Sequence, residues 1–116
     1  MVRLIHGPTG RVIVAPLEVA RSARERMRGL LGRDGLSPGA GMLIERCSSI
    51  HTWFMRFPLD VMFLDGDMVI VKLARNLPPW RLAMARRARC VVELSAGALD
   101  RLGVKVGDPL RVEEGI

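Results

Sequence analysis

Cys47-Ser48-Ser49-Ile50-His51-Thr52-Trp53-Phe54-Met55-Arg56-Phe57-Pro58-Leu59-Asp60-Val61-Met62-Phe63-Leu64-Asp65 holds one of the chain's two cysteines, one of its two histidines, one of its two tryptophans and all three phenylalanines. Core bulk and reactive side chains therefore meet in one segment. A β period of two places Cys47, Ser49, His51, Trp53 and Met55 on one side, and Ser48, Ile50, Thr52, Phe54 and Arg56 on the other. Each side is mixed, so the period alone does not choose the core face. Phe57-Pro58 breaks the run, because proline has no N–H to give a ladder. Leu59 to Leu64 resumes it, and Asp65-Gly66-Asp67 predicts a tight turn into a strand over 68–74.

Toward the N-terminus, apolar runs at 2–5 and 11–15 are separated by His6-Gly7-Pro8-Thr9-Gly10, the composition of a hairpin loop. Pro16 interrupts the pattern and Leu17-Glu18-Val19 resumes it as an edge strand. Ser22 followed by Glu25 has the form of a capping box, predicting a helix over 22–31 with Arg24 and Arg28 on its polar face. A glycine- and proline-rich loop follows, then Met42-Leu43-Ile44 as a buried strand. Toward the C-terminus, Leu77-Pro78-Pro79-Trp80 reads as a rigid, exposed connector. Residues 81–89 are alternately basic and apolar and take no assignment. Cys90-Val91-Val92-Glu93-Leu94 reads as a strand, Ser95 as the cap of a short helix through Leu102 that stops at Gly103, and 104–112 as a turn and a last strand. The pattern predicts a β-rich α+β fold, a small bent sheet or partly closed β-barrel with two short helices, in one domain spanning 1–116.

The chain's 116 residues, 49% hydrophobic and 26% charged, are enough for a core without staples and far from disordered composition. Its apolar runs are only a few residues long, whereas a spanning helix needs about 20. The first residues carry no sustained apolar stretch of the kind a secretory signal has, so a cytoplasmic location is expected. Two cysteines in a reducing compartment are expected to stay thiols. The formal charge of +6 raises the question of a polyanionic partner. Its carriers are nearly all arginines spread along the chain. The absence of tyrosine, and of aromatic alternation in the basic stretches, gives a nucleic-acid platform poor support.

Cys47 and His51 have the chemistry of an activated thiol, but on a regular strand four residues span about 13 Å, beyond hydrogen-bond reach. Cys47, His51 and Cys90 could begin a zinc site, yet no paired spacing such as Cys-x-x-Cys is present. Neither a catalytic residue nor a metal or other cofactor is assigned on this basis. Asp60 is the unusual carboxylate, set between Leu59 and Val61 in an apolar run. If it faces inward it needs a partner, with Arg56 and His51 the nearest candidates. Met55 is one of several methionines able to line an adaptable pocket or fill core gaps, and Trp53 and Trp80 offer flat faces.

Gly41-Met42-Leu43, Ser49-Ile50-His51-Thr52-Trp53-Phe54-Met55, Pro58-Leu59-Asp60-Val61 and Phe63-Leu64-Asp65 occur in the order that resembles the family known as domain of unknown function 192. The resemblance reaches back to Arg26-Met27-Arg28-Gly29-Leu30-Leu31. It runs forward through Val92-Glu93-Leu94-Ser95-Ala96-Gly97 to Val106-Gly107-Asp108. It implies a small, compact, β-rich prokaryotic protein without an established activity. It also marks Ser49, His51, Met55, Asp60, Glu93 and Gly97 as motif positions.

The expectation is thus a non-catalytic, small-molecule-binding domain with Ser49, His51, Trp53, Met55, Arg56, Asp60 and Glu93 around its ligand. An enzyme using Cys47 and His51 or a bound metal is one alternative. Polyanion binding through Arg24, Arg28, Arg86, Arg87 and Arg89 is the other.

Overall fold

The computed structural model describes residues 1–21, 35–53 and 55–114. The helix expected over 22–31, with Arg24 and Arg28, lies outside the described residues, as does Phe54. In chain order the elements are β1 (Val2–His6), β2 (Val12–Val14), β3 (Leu17–Ala20), β4 (Gly41–Glu45), β5 (Ser49–His51), β6 (Leu59–Leu64), β7 (Ile70–Leu77), β8 (Leu82–Met84), β9 (Cys90–Ser95), α1 (Ala98–Leu102) and β10 (Leu110–Glu114).

Among the described residues three sheets form: β3-β4-β9-β6-β7, β10-β1-β2 and the ribbon β5-β8. The first ends at β3 and β7, the second at β10 and β2, so neither closes on itself. This corrects the expected barrel: many short strands suit a barrel and a set of stacked open sheets equally well. Among the described residues one helix is present, α1, where two helices were expected in the whole chain. The β3–β4 pair is parallel and the other strand pairs are antiparallel.

The five-stranded sheet is covered on both faces. Leu43, Met62, Leu64, Val92 and Leu94 on one face pack with Leu4, Val14, Leu99 and Leu110 from the three-stranded sheet and α1. Met42, Ile44, Val61, Phe63 and Val91 on the other pack with Ile50, Met55 and Ala83 under the ribbon. All six residues of β6 are buried. A strand covered on both sides reads as a continuous apolar run, and each large apolar side chain fully buried there contributes about 1.5–3 kcal/mol.

The turn 65–68 forms as the sequence indicates: Asp65 Oδ1 accepts the N–H groups of Asp67 and Val69 at 2.9 and 3.0 Å. The expected Ser95 cap does not form. The residue before α1 is Gly97, at φ 90°, and the helix stops at Gly103 in the left-handed region, where glycine carries no Cβ penalty.

Candidate functional site

Among the described residues of the expected long strand only Ser49–His51 is in a ladder, and its partner is the unassigned 81–89 segment. Ser49 lies opposite Met84, Ile50 opposite Ala83 and His51 opposite Leu82. Opposed residues share a face, so the ribbon is two-sided. Ile50 and Ala83 point into the core, whereas Leu82 and Met84 are 61% and 56% exposed, beside exposed Ser49 and His51.

Thr52 fastens the next stretch to this ribbon. Its side chain is fully buried. The hydroxyl donates to the Pro78 carbonyl at 2.6 Å and accepts the Arg81 N–H at 2.8 Å. Its N–H donates to the Arg81 carbonyl, and its own carbonyl accepts the N–H groups of Met55 and Trp80. One threonine thus holds the 78–81 connector against the end of β5. Trp80 sits there at φ 67°, a conformation unusual for a bulky residue and held only when the surroundings fix it.

Trp53 and Trp80 are 49% and 57% exposed. The His51 and Trp53 rings lie 4.9 Å apart between centroids, tilted by 32°, within the range of favourable aromatic contacts. The ribbon's outer side and its end therefore present two indoles, an imidazole and two aliphatic side chains to solvent.

The expected site residues do not converge on one place. Ser49, His51 and Trp53 are exposed at the ribbon and Arg56 is exposed beyond it, while Met55 is buried in the core beneath. Glu93 is buried on that same side of the large sheet, since it lies opposite Met42 and Val61. Asp60 lies opposite Leu94, the neighbour of Glu93, and so projects from the other face. Its Oδ1 accepts the Asn76 N–H at 2.7 Å and its Oδ2 the Leu99 N–H at 2.9 Å. The partners of this buried carboxylate are thus backbone amides from β7 and the first turn of α1, not the anticipated Arg56 or His51. A β-bulge supplies the first of them: Leu59 pairs with Leu77 and Val61 with Ala74, leaving Arg75 and Asn76 against Asp60.

The two thiols differ. Cys90 packs in the core under the three-stranded sheet, and burial, reinforced by Glu45, Cys47 and Asp65, pushes its pKa to about 11. Cys47 packs with the core under the ribbon, and its thiol donates to the Ser49 carbonyl at 2.9 Å. Both are free. Among the described residues no group of three or more His, Cys, Asp or Glu side chains is placed to hold a metal ion. A separate network joins the two ends of the fold: His6 Nδ1 meets Thr9 Oγ1 and His6 Nε2 meets Asp108 Oδ2, each at 2.8 Å.

Of the residues at the ribbon, sequence reasoning singled out Ser49, His51, Trp53 and Trp80 but not Thr52, Leu82 or Met84. The short apolar run Leu82-Ala83-Met84 is ambiguous by itself and needs β5 as partner to be read as a strand.

Solved structures share this arrangement. A protein of unknown function from Novosphingobium aromaticivorans matches with a TM-score of 0.81 at 26% identity, over 95% of this chain and 82% of its own. A Sinorhizobium meliloti protein, proposed to be a transcription regulator, matches with a TM-score of 0.80 at 31% identity, over 96% of this chain and 91% of its own. In sequence, a UPF0127 protein of Thermococcus sibiricus is 30% identical over 118 residues, covering 96% of this chain and 76% of the relative. One from Pyrococcus furiosus is 41% identical over 64 residues, 54% of each chain. The family model described as "DUF192: Uncharacterized ACR" matches residues 5–112, and the chain belongs to that family.

Proposed function

We propose that this protein is a non-catalytic recognition domain that binds a small organic molecule with a flat apolar ring on the outer side of the β5-β8 ribbon. The observation that carries this reading is the grouping of Trp53, Trp80, Leu82 and Met84, each about half exposed or more, on one ribbon and its end. Exposed apolar side chains are ordinary when scattered, but a contiguous group with polar groups beside it marks a contact surface. His51 and Ser49 supply hydrogen-bonding edges within it, and the buried hydrogen bonds of Thr52 hold the two tryptophan positions in register before any ligand arrives. Such preorganisation lowers the entropic cost of binding. Asp60 and Glu93 act from beneath, as parts of the scaffold. Two thiols not joined in a disulfide fit a reducing compartment, and the cytoplasm is the location we propose.

The experiment is an NMR titration of labelled protein with a desalted metabolite extract, read at the two indole N–H signals and the His51 amide. Selective, saturable shifts at these three are expected. Unmoved signals at all three would refute the reading.

Polyanion binding through surface arginines is the second reading, favoured by the formal charge of +6 and by the regulatory role proposed for the Sinorhizobium relative. It requires affinity for nucleic acid that falls steeply with salt. A flat salt response in a fluorescent-oligonucleotide assay would rule it out.

A further inference from the structure

Arg46, Cys47, Ser48, Ala88 and Arg89 line an open cleft of about 300 Å3 between the end of β4 and the turn before β9. We infer that this cleft is an oxyanion site, taking the phosphate or sulfate end of a small molecule, separate from the ribbon's apolar side.

Three features support it. The first is guanidinium charge outside the ion pairs of the described residues. Among the described residues, ion pairs join Arg3 to Glu113, Arg21 to Glu45, Arg75 to Asp100 and Arg111 to Glu113, and His6 meets Asp108. Arg46, Arg86, Arg87 and Arg89 appear in none of them, and Glu45, the nearest carboxylate in the chain to Arg46, is within 3.4 Å of Arg21. The second is donor chemistry. Guanidinium groups offer forks of N–H donors that match phosphate and sulfate oxygens, and Ser48 adds a hydroxyl to the lining. The third is a fixed backbone. The Cys47 N–H donates to the Arg89 carbonyl at 3.0 Å and the Ala85 N–H to the Ser48 carbonyl at 2.9 Å, so the two walls are tied together. The Arg46 guanidinium donates to the Arg21 carbonyl at 3.0 Å while the Arg46 backbone is held at φ 53°. The volume lies at the lower end for ligand sites, about 300–1,000 Å3, and suits a small anion rather than a large cofactor.

Cys47 provides a reporter within the lining, because the other thiol, Cys90, is buried. The test is titration with inorganic phosphate against chloride at matched ionic strength. It is read by the amide shifts of Ser48, Ala88 and Arg89 and by the rate at which a neutral maleimide modifies Cys47. Saturable shifts with phosphate alone, slower modification of Cys47, and a loss of about tenfold in affinity in Arg89→Gln are expected. Arg89→Lys, which keeps the charge and loses the fork, should fall between. Linear shifts equal to those of chloride would overturn the inference. So would phosphate affinity unchanged in both Arg89→Gln and Arg46→Gln with the amide spectrum otherwise intact. Inorganic sulfate and a nucleoside monophosphate in parallel arms identify which oxyanion is preferred. The indole signals of Trp53 and Trp80 should stay still throughout, which keeps this outcome distinct from the ribbon titration.

Discussion

The Asp60 carboxylate accepts the backbone N–H of Leu99 at 2.9 Å across 39 positions of sequence, while its other oxygen takes the Asn76 N–H at 2.7 Å. A residue of β6 thus completes the first turn of α1 and seals a bulge in β7. Residue 97, where a side-chain cap would sit, is glycine and supplies none. Asp60→Ala orphans two amide donors, each costing about 1–3 kcal/mol, so a loss of about 2–6 kcal/mol is expected in urea unfolding. Asp60→Asn, with one acceptor oxygen left, should lose less.

Hydrogen bonding to His6, and then to the Lys105 N–H, holds the Asp108 carboxyl below its ordinary value. A carboxyl whose pKa is lower folded than unfolded adds stability above its unfolded value, and that stability is lost as pH falls through the folded one. Asp108→Asn should therefore flatten the acid limb of the stability curve below about pH 4, where a free aspartate titrates. Urea midpoints measured across that range check it, and an acid limb identical to that of the wild type would contradict it.

Thiol chemistry should be one-sided. With Cys90 only 7% exposed and its pKa pushed to about 11, a maleimide at neutral pH should label Cys47 alone in the folded protein. Peptide mapping by mass spectrometry would show both labelled only after denaturation. Rapid native labelling of Cys90 would contradict the burial.

Gly41 is a packing constraint in β4. A Cβ there would stand 2.8 Å from Leu94 Cδ2, 2.9 Å from Val14 Cγ1 and 3.1 Å from the Glu93 carbonyl oxygen. Gly41→Ala should destabilise by about 1–3 kcal/mol through overpacking between the two larger sheets. Unchanged stability in thermal unfolding would mean that the walls yield freely.

Elements bounded by their own chemistry were legible in the sequence. Pro58 and the Asp65-Gly66-Asp67 turn delimit β6, Gly7 to Gly10 marks the first hairpin, and Gly103 ends α1. Elements defined by distant partners were not. β8 exists because Ile50 and Ala83 pair across 33 positions, and no local signal separates 82–84 from a loop. The long strand expected from Cys47 ends early because Thr52 spends its hydrogen bonds on the 78–81 connector instead of a ladder. The candidate site divided for a related reason. Asp60 and Glu93 are both carboxylates in apolar runs, but the register of β6 against β9 places them on opposite faces, and register is invisible in one strand's composition.

The ribbon is the central claim, and the most direct measurement is the extract titration repeated on Trp80→Asn beside the wild type. Asparagine tolerates the left-handed backbone that residue 80 adopts, so stability should stay within about 1 kcal/mol. The expected result is saturable movement of both indoles and the His51 amide in the wild type, with binding at Trp53 weakened about tenfold or more in the variant. Undiminished binding in a folded Trp80→Asn protein, or wild-type shifts confined to residues away from the ribbon, would contradict it.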